Sequence, residues 1–477
     1  MADPVYTLAV ELIPGSLTNV SSDTQRVNYT RNIATALRGI QPDHAIFELA
    51  NEGGKYTSGR NGAIELLPGR DVQLSATYGG STYNLFQGHI DRVRTRPGIG
   101  DVARSVVEAI GGGDRLNRAI ITTPLFTEIN AGSLFTEIMT LANVGSFYAD
   151  TLGDTVPYAW FRDITASYAL EQLIKSGDYR LYVDGAGTVR LRNRFWAINS
   201  GTAIGSMESF FAFDLVTDTD EVINEAKINA VPREQITSPS TVAWIDPPIT
   251  IAASNHVGFW LQFLDPMNVA LAVPVTSMVT PVASQDYYAA ANSDGTGSDY
   301  TANLSLNMAI FGETAVVSIF NVSSLTAYLS RFQLRGYPLR ALSSIGFKSS
   351  DSFSQETYGQ RSWELTNALI QDYEFLKDYC ANLVEQYKSP ASQIEISLMN
   401  DPDVVMPLEV GAIFHVINSV TNVGSTWAIQ TMTHDITLVD GLRHQVDLTL
   451  ERFVGGSWFI LDDAALGTLD GPGLLAL

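Results

Sequence analysis

The sequence predicts a mainly β, multidomain chain with α+β parts. Its pieces are two small β-barrel modules at the chain ends, a small α+β module, an inserted β-sandwich-like domain and one long helix. Three observations carry this reading. Residues 71–78 alternate, with Val72, Leu74, Ala76 and Tyr78 on one face and Asp71, Gln73, Ser75 and Thr77 on the other. The same period of two returns near the other end, where Val446, Leu448 and Leu450 alternate with Gln445, Asp447, Thr449 and Glu451. Only residues 352–388 carry a sustained apolar stripe at helical spacing.

From the start of the chain, Val5–Ile13 is apolar-rich and ends at Pro14-Gly15, as a first strand would. Val20–Gly39, with arginines at 26, 31 and 38, reads as a polar connection lying on the surface. Ala45–Ala50 is a further strand, and Phe47–Arg94 reads as a β-meander. Within it, Gly79-Gly80 can supply the positive φ angles of a tight hairpin. The return strand slips phase, since Tyr83 and Leu85 share one face and Phe86, Gly88 and Ile90 the other; that predicts a bulge. Arg96–Asp101 reads as a turn and Ser105–Ile110 as a strand.

Gly132–Val144 and Tyr168–Lys175 read as short helices, followed by a hairpin turning at Asp184–Gly187. Val222–Pro232 is another strand. Between Thr237 and Ser330 there is no Lys or Arg and only six acidic residues, and short alternating runs such as Phe259, Leu261 and Phe263 predict a sandwich. Leu365, Leu369, Tyr373, Leu376, Cys380, Leu383 and Tyr387 then form one stripe, predicting a helix over 352–388 with Ser352 and Gln355 as a capping box. The stripe suits a core, or a contact between subunits. Ile394–Leu398, Ile413–Ile417, Trp427–Ile436 and Gln445–Phe453 build the second strand block, and an extended tail follows.

The chain has 477 residues, 45% apolar and 17% charged, enough for large cores. Its formal charge of −22 opposes phosphate contacts, so no specific nucleic-acid binding is expected. Cys380 is the only cysteine, which excludes an intramolecular disulfide and suits a reducing compartment. Met1–Pro4 lacks a signal-peptide pattern, and no apolar run reaches the roughly 18 residues of a span, so no stable membrane insertion is expected.

The candidate sites read weakly against structural roles. Gly98–Ala103 matches a GxGxxA string but precedes a strand, not the helix of a dinucleotide fold. Gly111–Asp114 lacks the Lys and Ser/Thr of a phosphate loop. Asn292–Asp299, with Asp294 and Asp299, resembles a calcium loop without its terminal Glu. The six histidines form no HExxH or close His/Cys cluster; a hairpin could bring His434 near His444, in a surface or packing role. Asp214–Glu221 is an acidic run, not a carboxylate pair framing a cleft. There is no GxSxG elbow. No catalytic, cofactor-binding or metal residue is therefore assigned, no cofactor is expected, and the chain reads as a non-enzyme.

The order of parts resembles the baseplate-hub, or tail-tip hub, proteins of tailed bacteriophages, often called minor tail proteins. The resemblance rests on "FELANEGGKYTSGRNG" with "LPGRDVQLSATYGGSTYNLFQGHIDRV", on "SYALEQLIKSGDYRLYVDGAGTVRLRNR", and on "YGQRSWELTNALIQDYEFLKDYCANLVEQYKSP" followed by "LEVGAIFHVI" and "WAIQTMTHDITLVDGLRHQVDLTLERF". It implies a homotrimer whose paired barrels match a six-fold tail ring to a three-fold tip. It also implies, as neighbours, a distal tail ring protein, a tape-measure protein and a tail fibre or spike, in a virion tail tip assembled in the host cytoplasm. DNA would pass through an acidic lumen without sticking. The expected divisions are 1–112 (first barrel), 113–200 (α+β), 201–236 (joining strands), 237–340 (insertion), 341–390 (long helix), 391–460 (second barrel) and 461–477 (tail). The alternative is a receptor- or carbohydrate-binding tail protein. In it residues 237–330 are the binding module, with Trp244, Trp260, Tyr287 and Tyr288 as stacking candidates.

Overall fold

The computed structural model describes residues 3–57, 65–96, 103–193, 206–207, 210–246, 248–439 and 441–452. The chain is mainly β, with several sheets and separate cores. At its front lie β1 (Val5–Ile13), β2 (Ser16–Asn19), β3 (Thr24–Asn32), β4 (His44–Ala50), β5 (Asp71–Tyr78), β6 (Ser81–Arg96) and β7 (Arg104–Gly111). The order β2-β1-β5-β6-β7-β4-β3 is antiparallel throughout. The expected meander is therefore rearranged, because β4 leaves β5 to pair with β7 and β3, and β1 takes the place beside β5. Gly79 and Gly80 turn the β5–β6 hairpin with φ of 58° and 82°. Register slips between Leu74 and Ser75, as the change of phase in β6 predicts. Val20, leading into β3, extends the β1–β2 pairing by donating its N–H to the Leu8 carbonyl at 2.8 Å. Tyr29, Phe47, Leu74 and Phe86 fill the enclosed core.

The polar connection expected over 20–39 is instead the middle of the molecule. β3 buries Val27, Tyr29 and Arg31, and pairs with β4 on one side and with the Val423–Thr437 strand on the other. Val423–Thr437 is long enough to serve two modules. Its first half pairs with Ile413–Asn418 and packs Trp427 and Ile429 into the second core; its last residues pair with β3 and put Ile436 into the first core. Arg443–Arg452, Ala391–Met399 and Ala212–Asp218 continue outward. The two end blocks thus form one continuous sheet, side by side. Among the described residues its main path ends at Ser16–Asn19 and Ala212–Asp218, and a branch from Val423–Thr437 through Ile413–Asn418 ends at Ser206–Met207.

The α+β module packs the Ala131–Leu141 and Ala166–Gly177 helices over a small hairpin, Arg180–Val183 with Val189–Arg192. Asn130 and Thr165 cap the two helices through their side chains. Leu181 exchanges backbone hydrogen bonds with Ala34, fastening this module to the chain just beyond β3.

The single long helix is not formed. Asp351, rather than a capping box, caps a short helix, Ser352–Tyr358, and Gly359 at φ 75° ends it. Residues Ser362–Thr366 become a strand, and a second helix, Tyr373–Tyr387, starts at an Asp372 cap. Ser362–Thr366 runs parallel to Glu225–Ala230, an outlet that helical periodicity cannot register. The stripe survives only in part. Leu376, Cys380, Leu383 and Tyr387 bury against this small sheet, whereas Leu365 reaches the same core from the strand.

In the insertion, the long strand Ala327–Ala341 is bordered by Arg233–Gln235, Ser240–Trp244, Ile249–Ile251, Val275–Met278 and Tyr287–Ala290. A three-stranded sheet of His256–Gln262, Leu304–Ile310 and Thr314–Asn321 packs across a shared core.

Candidate functional site: a buried polar seam between the end modules

Where β3 meets Val423–Thr437, the two modules join through polar side chains instead of a plain apolar contact. Tyr29 lies fully buried and stacks on His434, ring centroids 4.3 Å apart and planes 10° from parallel. His434 Nδ1 is 2.9 Å from His444 Nε2, and Tyr6 Oη is 2.7 Å from His444 Nδ1. One assignment orders the chain: the Tyr6 hydroxyl donates to Nδ1 of a neutral His444, whose Nε2–H donates to His434 Nδ1, leaving the buried His434 Nε2 without a partner among the described residues. Burial, reinforced by the His444 and Arg31 charges, drives the His434 pKa well below its ordinary value, and burial brings His444 down to about 4. Both rings are neutral at pH 7, as such a chain of donors requires.

Two residues further along β3, Arg31 is inside with its side chain 3% exposed, 2.7 Å from the Glu409 carboxylate, which is 33% exposed. Asp43 is buried beside it, accepting the Asn32 N–H at 3.2 Å. Burial pushes the Asp43 carboxyl up to about 7 despite the Arg31 charge. At the outer end of the same joint, Arg38 ion-pairs with Glu221 at 2.7 Å and lies 3.8 Å from Glu451, at a cleft of about 380 Å³. These charges neutralise one another. The arrangement locks register and orientation, because a one-residue slip would move Arg31, Tyr29 and His434 to the wrong face.

The sequence brings His434 and His444 near each other across a hairpin in a surface or packing role, and the structure packs them together inside the seam. Tyr6, Tyr29, Arg31, Asp43 and Glu409 are not found by sequence reasoning. The legible signal is the alternation Val27, Tyr29, Arg31, which a charged residue in the inward phase disguises. Asp294 accepts from Thr296, and Asp299 accepts from the Thr301 N–H at 2.8 Å, so both carboxylates close local turns. Among the described residues no group of three or more His, Cys, Asp or Glu side chains is placed to hold a metal ion. Asp214 sits on the exposed edge strand, away from Glu221 at the cleft. In the GxGxxA string, Gly98–Val102 lies outside the described residues, as does the tail beyond Arg452. Trp260 lies on a different sheet from Trp244, Tyr287 and Tyr288, so the four aromatics form no single platform.

No family model matches the chain, and no curated protein sequence does. Solved structures do. A tail protein from Neisseria meningitidis MC58 is similar over 94% of this chain and 97% of its own, with 9% identity and a TM-score of 0.53. The 43 kDa tail protein of prophage MuSo2 from Shewanella oneidensis is similar over 94% of this chain and 98% of its own, with 11% identity and a TM-score of 0.52. At these identities the likeness is one of fold, and it takes in nearly the whole of both chains. The protein therefore has the fold of phage-type tail proteins, as the resemblance in its sequence implies.

Proposed function

We propose that the chain is a structural, non-enzymatic hub of a phage or phage-like tail tip, acting as a trimer that adapts a six-fold tail ring to a three-fold tip. One observation carries this reading: the two end modules share a single hydrogen-bonded sheet, side by side across β3 and Val423–Thr437. Three copies of such a pair supply six strand modules at one level. The edges at Ser16–Asn19 and Ala212–Asp218 support it, since each is paired on one side only among the described residues and they expose Leu17, Leu215 and Val216. Open edges bearing apolar side chains are templates for strand pairing with another chain. In this reading the distal tail ring, the tape-measure protein and a fibre or spike are the neighbours, and the segment 237–340 is an insertion carried outside the ring. The surplus of acid faces a lumen through which DNA passes. The place of action is the virion tail tip, after assembly in the host cytoplasm.

Native mass measurement of the full chain tests the proposal. A trimer that co-assembles with its tail ring is expected, and Val216→Lys is expected to break the trimer while leaving the monomer folded. A wild-type monomer that ignores the ring would overturn it.

A further inference from the structure

We propose that the outer face of the insertion's three-stranded sheet is a binding site for an uncharged oligosaccharide. The site is a trough built by cross-strand register. Gly258, Ser318 and Asn307 lie opposite one another on the three strands and form its floor, small and polar. On one side stands His256, stacked on its cross-strand partner Phe320 with centroids 5.0 Å apart and planes 26° from parallel. On the other stands Trp260, 72% exposed and nearly parallel to Phe311 at 6.0 Å. His256 and Trp260 are four residues apart on one strand, which places the two aromatic walls roughly 13 Å from each other. That is the span of a short oligosaccharide rather than of one ring.

The chemistry favours a sugar over a protein surface. A protein contact is anchored by a closely packed apolar centre. Here the centre is a glycine, a hydroxyl and an amide, and the rings stand at the margins. A Cβ added at Gly258 would meet nothing nearer than 3.9 Å, so the floor is open from above. Hydroxyl and amide groups match sugar hydroxyls as donors and acceptors, and flat rings accept the apolar face of a pyranose. The ligand's charge follows from the module. The three strands of this sheet, His256–Gln262, Leu304–Ile310 and Thr314–Asn321, contain no Lys or Arg, so nothing on them would hold a uronate, sialate or phosphate. Asp265, Asp286 and Glu313 are committed to Arg340, Arg335 and Arg162.

A glycan array carrying neutral gluco-, galacto- and N-acetylglucosamine oligosaccharides beside uronate and sialylated ones tests this with the full chain. The wild-type protein is expected on neutral members only. Trp260→Ala, and Gly258→Leu, which fills the floor from a position where a Cβ meets nothing nearer than 3.9 Å, should each weaken binding at least about tenfold, equal to about 1.4 kcal/mol. Circular dichroism verifies that both variants fold. Binding to no neutral member, binding confined to charged members, or binding unchanged in both variants would each overturn the proposal. So would a Trp260→Ala variant that dissociates an oligomer, because the face would then be a contact between copies. The glycan-binding outcomes do not bear on the tail-hub reading, which rests on the end modules.

Discussion

Replacing Glu409 with Gln isolates the energetics of the seam. Arg31 would keep its buried charge and lose the carboxylate 2.7 Å away. Removing one partner of a buried pair commonly costs about 3–5 kcal/mol. Two features lower that figure here. A third of the Glu409 side chain is open to water, and Asp43, whose carboxyl is held up to about 7, can ionise in compensation. We therefore expect a loss of about 2–3 kcal/mol, below the usual range for a fully buried pair. The loss should be local. Amide hydrogen exchange over β3, from Val27 to Asn32, should speed up by about 30–150-fold, since each 1.4 kcal/mol is a factor of ten in opening. Amides of the insertion, which shares no core with the seam, should not change. The double variant Arg31→Met with Glu409→Leu removes both charges and should recover most of the loss, because apolar replacement of a buried pair is often neutral or stabilising. Exchange in E409Q matching wild type, or a double variant as open as the single, would refute the claim that this pair holds the modules in register.

The seam also makes stability depend on pH in two opposed ways. His444 falls from 6.5 to about 4 on folding, so the unfolded chain binds more protons between those values and stability is lost as pH falls through that window, by about 3 kcal/mol for this one group. Asp43 rises from 3.8 to about 7, so its contribution is complete below pH 3.8 and is lost as pH climbs through 7. Asp43→Asn should therefore steepen the gain in urea midpoint between pH 4 and 6.5, and an unchanged slope would contradict this assignment. At the contact between the α+β hairpin and β6, a Cβ on Gly185 would fall 1.9 Å from the Asn84 carbonyl oxygen. Gly185→Ala should cost about 1–3 kcal/mol, read as a lower melting temperature. Leu383→Ala, on the buried side of the Tyr373–Tyr387 helix, should cost about 2–5 kcal/mol by urea titration, whereas the same change at an exposed helical position would cost little.

The sequence by itself determined the strands whose two faces meet different media. β5, β6 with its bulge, the hairpin at 180–192 and the final strands all announce themselves, because burial of one face writes a period of two into the residues. The short helices at 131–141 and 166–177 are legible for the equivalent reason at helical spacing. Only the tertiary structure decided the rest. β3 carries a charge inward, which is tolerable because Glu409, 378 positions away in the chain, meets Arg31 there. No local window contains both partners, so the strand reads as surface. The 352–388 stripe divides because Ser362–Thr366 finds a parallel partner in Glu225–Ala230, another non-local pairing. The candidate seam and the aromatic trough are likewise products of register, in which cross-strand neighbours distant in sequence become adjacent only when the sheets close over their cores.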